Sequence, residues 1–539
     1  MPQAPSVAVP SRLPLILQPE NRDSTVLRDA KLVNGYMEKT SHAGEAWVYK
    51  RPGLELATFD EAAGPVVGRG RGVYNWQGKV YAVFSDVLYE YDHFPATTRV
   101  ALGNVNDTGG MYTFDTSLGD TPRLQLQNGV AGYNYSPSEG LRLIFSTVQR
   151  AASELINGVT YTIAFVGTSD FTLVGAATNT VGVSFIATGP TPGTGLATSS
   201  NANFPVYPNL VPGWAYLDGT TYVMDRKAYI HGSTTLPGMN TPNVWEDLTN
   251  VIGAQIEPDE GVRLAKQLVY VLALKTWSTE VFYDALNPPG ASPLGPVQGA
   301  KINYGCAAAD SVQELDGTLI WAATNRAASV QIVLLEALKL TIVSTKAVER
   351  LLIAADFTQV ASMAFKYEGH RFYVLTLKAN NLTLVYDLTD QMWAQWTDHE
   401  GNYFKGIAHT FFGTQRIVQH ELDGQLYFLG GDYYDDAGYP ITVDLYAPNF
   451  DGGTRRRKQL NQMEFVADQT AGSTLQVRVN DADYAETAWT NFRLVDLSKP
   501  RPLLVNCGTF NRRTVHLRHQ SNTPFRLQAI ELQLDIGTL

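Results

Sequence analysis

The chain has only two cysteines in 539 residues, Cys306 and Cys507, which excludes a disulfide-stapled scaffold and a cysteine-rich zinc module and suits folding under reducing conditions. Basic charge is also short. Lys plus Arg number 41 against 52 Asp plus Glu, for a net charge of −11, and a dedicated nucleic-acid binder carries the opposite footprint. No stretch approaches 18 uncharged apolar residues, and the opening MPQAPSVAVPSRLPLIL has prolines within its apolar part and no basic start, so the reading is a soluble protein with no export signal or membrane anchor. The G-x-S-x-G elbow, H-E-x-x-H, G-x-x-x-x-G-K and the EF-hand loop are missing, and with them the common signatures of acyl transfer, zinc hydrolysis, phosphate binding and calcium binding. His516 and His519 stand three apart near Cys507; on a strand that spacing puts them on opposite faces, so they read as surface histidines rather than a zinc pair. The sequence therefore predicts no catalytic set, no metal site and no cofactor.

What is present is glycine, proline and aromatics. With 46 Gly, 27 Pro, 44% hydrophobic and 11% aromatic residues, short strands joined by turns are favoured over long helices, and the expected class is all-β. GRGRGVYNWQGKVYAVF, residues 68–84, resembles a phosphate loop only superficially. No helix can start behind its glycines; Asn75-Trp76-Gln77-Gly78 supplies turn residues, and Val80, Tyr81, Val83 and Phe84 make a strand.

That strand–turn–strand unit recurs. WQGKVYAVF at Trp76, LDGTTYVMD at Leu217, LDGTLIWAA at Leu315, YEGHRFYVL at Tyr367 and LDGQLYFLG at Leu422 share an acidic or amide residue before glycine, a strong hairpin signal. Gly317, Gly369 and Gly424 are 52 and 55 residues apart, and Gly219 precedes Gly317 by 98, about two such periods, with a missing copy expected where Lys266-Gln267 stands. A 50-residue period of four short strands is the mark of a propeller blade. Stacked β-sandwiches would show similar strands but no such period.

The expectation is thus a six-bladed, possibly distorted, β-propeller. It has an N-terminal arm and ring-docking segment over 1–60, a first blade over 61–102, a small inserted β-module over 103–210, the remaining blades over 211–454 and a C-terminal β-domain over 455–539. The Gly/Pro/Thr-rich residues 189–203 read as linker. A helix is expected at 344–352, capped by Ser344 or Thr345, with Val348, Leu351 and Leu352 on its apolar face. The one charge run, Arg455, Arg456, Arg457 and Lys458, is either a solvated linker or a docking patch for an acidic partner or phosphate.

Three segments carry a family resemblance. LVNGYMEKT (32–40) followed by YKRPGLEL (49–56) and the blade from Arg71 resembles the start of the packaged-DNA stabilisation proteins of short-tailed bacteriophages, also called tail hub or nozzle proteins; VSTKAVERLL (343–352) is similar to an internal segment of that group. The resemblance runs from about 12 to 102 and from about 213 to 539. Residues 166–189 resemble a module of phage structural proteins, and as an insertion they depart from the simplest family members. The resemblance implies a structural virion protein assembled in the host cytoplasm: a hexameric ring beneath the portal-adaptor, around the DNA exit channel, bearing tail fibres or tailspikes and closed by a needle or plug, with DNA passing without sequence-specific binding. A carbohydrate-binding or glycoside-hydrolysing propeller is the alternative, although no S-x-D-x-G-x-T-W box is present; a cellular scaffolding propeller is a third.

Overall fold

The computed structural model describes residues 9–537, except 16–18, 20–29, 41–45, 59–65, 67, 97, 119–120, 182, 201–209, 234–249, 289–290, 328, 484 and 486–487. The fold is all-β. Among the described residues seven four-stranded antiparallel meanders follow one another, at 70–104, 113–151, 215–253, 261–296, 313–342, 360–395 and 406–430. The seventh borrows its fourth strand from the N-terminal region, Gly53–Leu56, which pairs antiparallel with Leu426–Gly430. Because that strand leads directly toward the first blade, the chain's beginning fastens its end.

The blades close on one another through buried apolar seams. Val73, Val80, Ala82 and Phe84 of the first blade pack on Ile417, Leu426 and Phe428 of the seventh; Tyr81, Val83 and Leu88 pack on Leu124, Leu126, Tyr133 and Tyr135 of the second. Trp321, fully buried, sits between the fourth and fifth blades with Leu272, Leu274 and Val333. Strands covered on both faces read as continuous apolar runs, which is why KVYAVF and TLIWAAT carry almost no polar residue.

The sequence count of six blades is corrected to seven. The extra one lies within the stretch assigned to insertion: Thr113–Ser117, Arg123–Gln127, Ala131–Ser136 and Gly140–Ala151 form a complete meander. The last of these strands continues into the true module, pairing with Leu196–Ser200, which also pairs with Thr160–Phe165. Residues 196–200 are therefore strand, not linker, because two neighbours take up their backbone groups. Four of the five x-Gly turns hold the same place, between first and second strands, with positive φ at both central residues: 51° and 77° at Gln77-Gly78, 45° and 87° at Asp218-Gly219, 55° and 72° at Asp316-Gly317, 47° and 86° at Glu368-Gly369. Gly424 instead joins the second and third strands of its blade. The turn expected at Lys266-Gln267 lies at Leu268-Val269, since Gln267 is the register partner of Tyr270.

A β-sandwich stands beside the propeller. Its core joins Leu460, Met463, Phe465, Leu475, Val477, Leu517 and Ile530 to Leu32, Met37 and Val48, so residues of the N-terminal arm and the C-terminal region share one hydrophobic interior. One of its sheets is continuous with the sixth blade through the parallel pair Val33 and Gln395. The helix forms at Lys346–Ile353, where the Thr345 side chain accepts from Val348 N at 3.4 Å and Val348 and Leu352 are buried between the fifth and sixth blades.

Candidate functional site

Three places collect polar chemistry: the joint between sandwich and propeller, the basic corner, and the propeller's central cavity. At the joint, Asn34 takes a left-handed conformation (φ 55°) that points its amide at two bodies at once. It donates to Thr397 Oγ1 at 2.8 Å and to the Thr442 carbonyl at 2.9 Å, and accepts from Thr397 N at 2.7 Å and Arg51 Nε at 3.1 Å. Arg51, 1% exposed, grips Asp436 with both terminal nitrogens and lies over Phe404 at 4.9 Å. A bidentate guanidinium is the group suited to such a buried pair. The adjoining glycines permit close backbone approach: a Cβ on Gly35 would stand 2.6 Å from the Tyr49 carbonyl, and one on Gly53 2.3 Å from that of Asp435. The motifs NGYMEK and YKRPG are thus a clamp.

His370, Asp387 and Asp390 place their donor atoms within 4.8 Å of one another. Each already has a protein partner. His370 Nδ1 is 2.6 Å from Asp387 Oδ2, Thr389 N donates to Asp387 Oδ1, and Lys39 N donates to Asp390 Oδ2. The group ties the strand Gly35–Lys39 to the sixth blade and is satisfied without an ion.

The basic run divides. Arg455, Arg456 and Arg457 are exposed in the connection between the strands Val443–Tyr446 and Lys458–Ala467, which belong to different sheets, while Lys458 is buried and donates to the carbonyls of Thr454 (2.7 Å), Arg456 (2.8 Å) and Asn511 (2.9 Å). Burial holds its ammonium below the usual lysine range. Exposed Arg512 stands close enough to reinforce that shift, so the charged corner is Arg455, Arg456, Arg457 and Arg512. The expectation of surface histidines is corrected: His516 and His519 are 0% and 1% exposed, since both faces of their strand are covered. His516 Nε2 meets Asp444 Oδ1 at 2.7 Å and its ring stacks on Tyr446; His519 stacks on Phe525 with Ser473 Oγ at 2.9 Å. Burial lowers both from the usual histidine value, His519 to about 3.

The central cavity has a volume of about 710 Å³ and takes wall from the innermost segment of every blade, including Tyr74, Asp115, Trp214, Arg263, Gln313, Ser362 and His409. Burial pushes Asp115 up to about 6, partly offset by Lys266, and pushes His409 down to about 3, which keeps that imidazole neutral. The wall runs through consecutive residues of the inner strands, Ser362 to Ala364 and Ile407 to Phe411 among them, so no alternation in the sequence marks these groups.

The architecture is that of a β-propeller with an attached β-sandwich. Residues 222–434 match the family model described as Bacteriophage P22 Gp10, beta-propeller, and over that part the chain is similar to this phage-stabilisation family. The match begins in the third blade and ends after the seventh. No curated protein matches the sequence significantly. Similar solved structures include a computationally designed protein, Ika8 (12% identity, 70% of this chain and 100% of that one, TM-score 0.35), virginiamycin B lyase from Staphylococcus aureus (6%, 67% and 94%, 0.37) and the N-terminal domain of Nup159 (8%, 74% and 99%, 0.35). At such TM-scores they carry no argument about this chain. Among the described residues no helix is long and apolar enough to cross a membrane.

Proposed function

We propose that this chain is the hub, or nozzle, subunit of a short phage tail: copies form a ring below the portal-adaptor, surround the DNA exit, seat a plug or needle and carry fibres or spikes. The observation that carries the reading is the family match over five consecutive blades. Its role is mechanical, and no turnover of glycans, peptides or nucleotides is expected of the pure protein.

The subunit's own axis is not the DNA path. A cavity of about 710 Å³ corresponds to a cube about 9 Å on edge, whereas the major groove of B-DNA alone is about 12 Å wide and about 8.5 Å deep. DNA must run between subunits. Six copies would carry 6 × −11 = −66 formal charges, and an acidic lumen lets DNA slide, because phosphate–cation contacts are what hold DNA to proteins. The exposed arginine corner is the natural docking point for an acidic surface of the adaptor or a neighbouring copy, by charge complementarity. Particles assembled without the protein are expected to package DNA normally, then leak it, and to lack distal tail parts. Full, stable, appendage-bearing particles from that deletion would overturn the proposal.

A further inference from the structure

We propose that the arginine corner of one copy docks into an acidic, aromatic-edged pocket beside the seventh blade of the next copy, so that subunits meet head to tail. The proposal rests on the reading of the chain as a ring subunit and names the two surfaces that close the ring.

The pocket has a volume of about 310 Å³ and takes its wall from the loop 398–405, the segment 420–427 and the hairpin that carries Tyr439. Four carboxylates line it, Asp398, Glu400, Asp423 and Asp436, against one lysine, Lys405. Two are already paired: Asp436 is held by Arg51, and Lys405 Nζ stands 3.7 Å from Asp398 Oδ2. Among the described residues Glu400 and Asp423 have no lysine or arginine within 4.0 Å, only His399 at 3.9 Å and His420 at 3.0 Å. The rings of His399 and Tyr439 stack at 4.1 Å, and Tyr439 is 55% exposed. An exposed flat aromatic pair beside carboxylates fits a guanidinium, which pairs through its edge and stacks through its face.

The complement is carried by the same chain, out of its own reach. Residues 398–436 hold seven Asp and Glu against Lys405 and Arg416, whereas 455–539 hold twelve Lys and Arg against eight Asp and Glu. Arg455, Arg456 and Arg512 are exposed and, among the described residues, in no ion pair. The pocket adjoins the joint between propeller and sandwich, since Asp436 bonds Arg51 and Arg51 bonds Asn34. The strand Val443–Tyr446 starts at that joint, where the Thr442 carbonyl accepts from Asn34, and its pairing with residues 516–519 continues to the bridge between Phe450 and Arg513. From Val443 to Phe450 the chain travels about 23 Å at about 3.3 Å per residue, and the bond from Lys458 to the Asn511 carbonyl holds the corner at that far end. The corner and the pocket of one copy thus lie at opposite ends of the sandwich, and the pocket's cationic partner comes from another copy. A contact between two different patches is heterologous, the kind that closes into a ring. It also joins opposite charges in a chain whose net charge of −11 otherwise drives copies apart.

The test uses the full-length protein, with self-association read by sedimentation velocity, alone and with a candidate portal-adaptor, at low and high salt. Reversing the corner (Arg455→Glu, Arg456→Glu and Arg457→Glu) or the pocket (Glu400→Lys with Asp423→Asn) should each weaken self-association about tenfold or more, and the parent's association should weaken as salt rises. Mixing the two variants should restore it, because each then meets an opposite charge on the other and a like charge on itself. If the pocket variant fails to fold, Tyr439→Ala, which removes an exposed ring, decides the matter by lowering self-association about threefold or more. Self-association unchanged by the corner and pocket variants, or lost in both without recovery on mixing, would overturn the contact while leaving the hub reading in place; so would rings that stay intact while the corner reversal frees them from the adaptor. A parent chain that stays monomeric both alone and with the adaptor would contradict the hub reading itself.

Discussion

Six seams of the propeller are apolar and one is not. Between the second and third blades no buried apolar cluster crosses among the described residues: Leu124 and Leu126 turn toward the first blade, leaving Gln125 and Gln127, both 0% exposed, to face the third. Gln125 Nε2 donates to Thr221 Oγ1 at 3.3 Å, Gln127 Nε2 to the Gly213 carbonyl at 2.6 Å, and Gly213 N to Thr113 Oγ1 at 3.2 Å. Gln127 Oε1 and Thr220 Oγ1 lack partners. Apolar burial is non-directional and tolerates small shifts, whereas a half-satisfied polar interface is costly and specific in geometry. The polar seam is therefore the weak, register-setting joint of the ring. It also lies at the beginning of the family match, which starts at residue 222, so the first two blades meet the matched blades apolarly on one side, at the seventh, and by hydrogen bonds on the other.

The comparison can be broken from its strong side first. Trp321→Ala empties an apolar seam and deletes the indole bond to the Gly305 carbonyl (2.8 Å); a loss of about 3–5 kcal/mol is expected, read by denaturant unfolding. At the polar seam Gln125→Leu alone should cost about 1–3 kcal/mol by stranding the Thr221 hydroxyl, while Gln125→Leu with Thr221→Val should come back to near neutral or better. A double variant as damaged as the single one would show that this seam depends on shape, not on polar pairing.

A smaller effect depends on pH. Asp115, next to that seam, has its folded pKa raised to about 6 against about 3.9 unfolded. A raised folded value means the stability linked to its proton is fully present below about pH 4 and is lost as pH rises through about 6. Asp115→Asn should thus gain about 1–2 kcal/mol at pH 8, less than the full shift because the group is partly accessible, and nothing at pH 4. Thermal melts at the two pH values check this. The smallest effect is at the surface: neutralising Arg455, Arg456 and Arg457 removes exposed pairs worth about 0.2–1 kcal/mol each, so assembly with an adaptor should weaken at low salt and change little at high salt. Unchanged assembly at every salt concentration would make the corner a solvated linker.

The same contrast explains what the sequence could reveal. Blades with apolar strands after an x-Gly turn, such as LDGTLIWAA and YEGHRFYVL, announce themselves because both faces are buried in apolar seams. RLQLQ does not: its glutamines serve a polar interface, so the second blade reads as part of an insertion and the count falls one short. The seventh blade misleads differently, since its first turn, Phe412-Gly413-Thr414, lacks the acidic residue, and the Asp423-Gly424 signal belongs to the next turn. The arginine run is visible, but the burial of Lys458 is set by carbonyls distant in sequence, Asn511 among them. The central cavity takes wall from every blade, and only closure of the ring assembles it.

The proposed role is that of a ring-forming hub. A low-resolution electron-microscopy image of the purified protein, alone and mixed with a candidate portal-adaptor, tests that most directly. The account predicts six-fold rings stacked coaxially on the adaptor, with propellers arranged around a central lumen wide enough for duplex DNA. Monomers that ignore the adaptor, or rings whose only opening is the propeller axis itself, would contradict it.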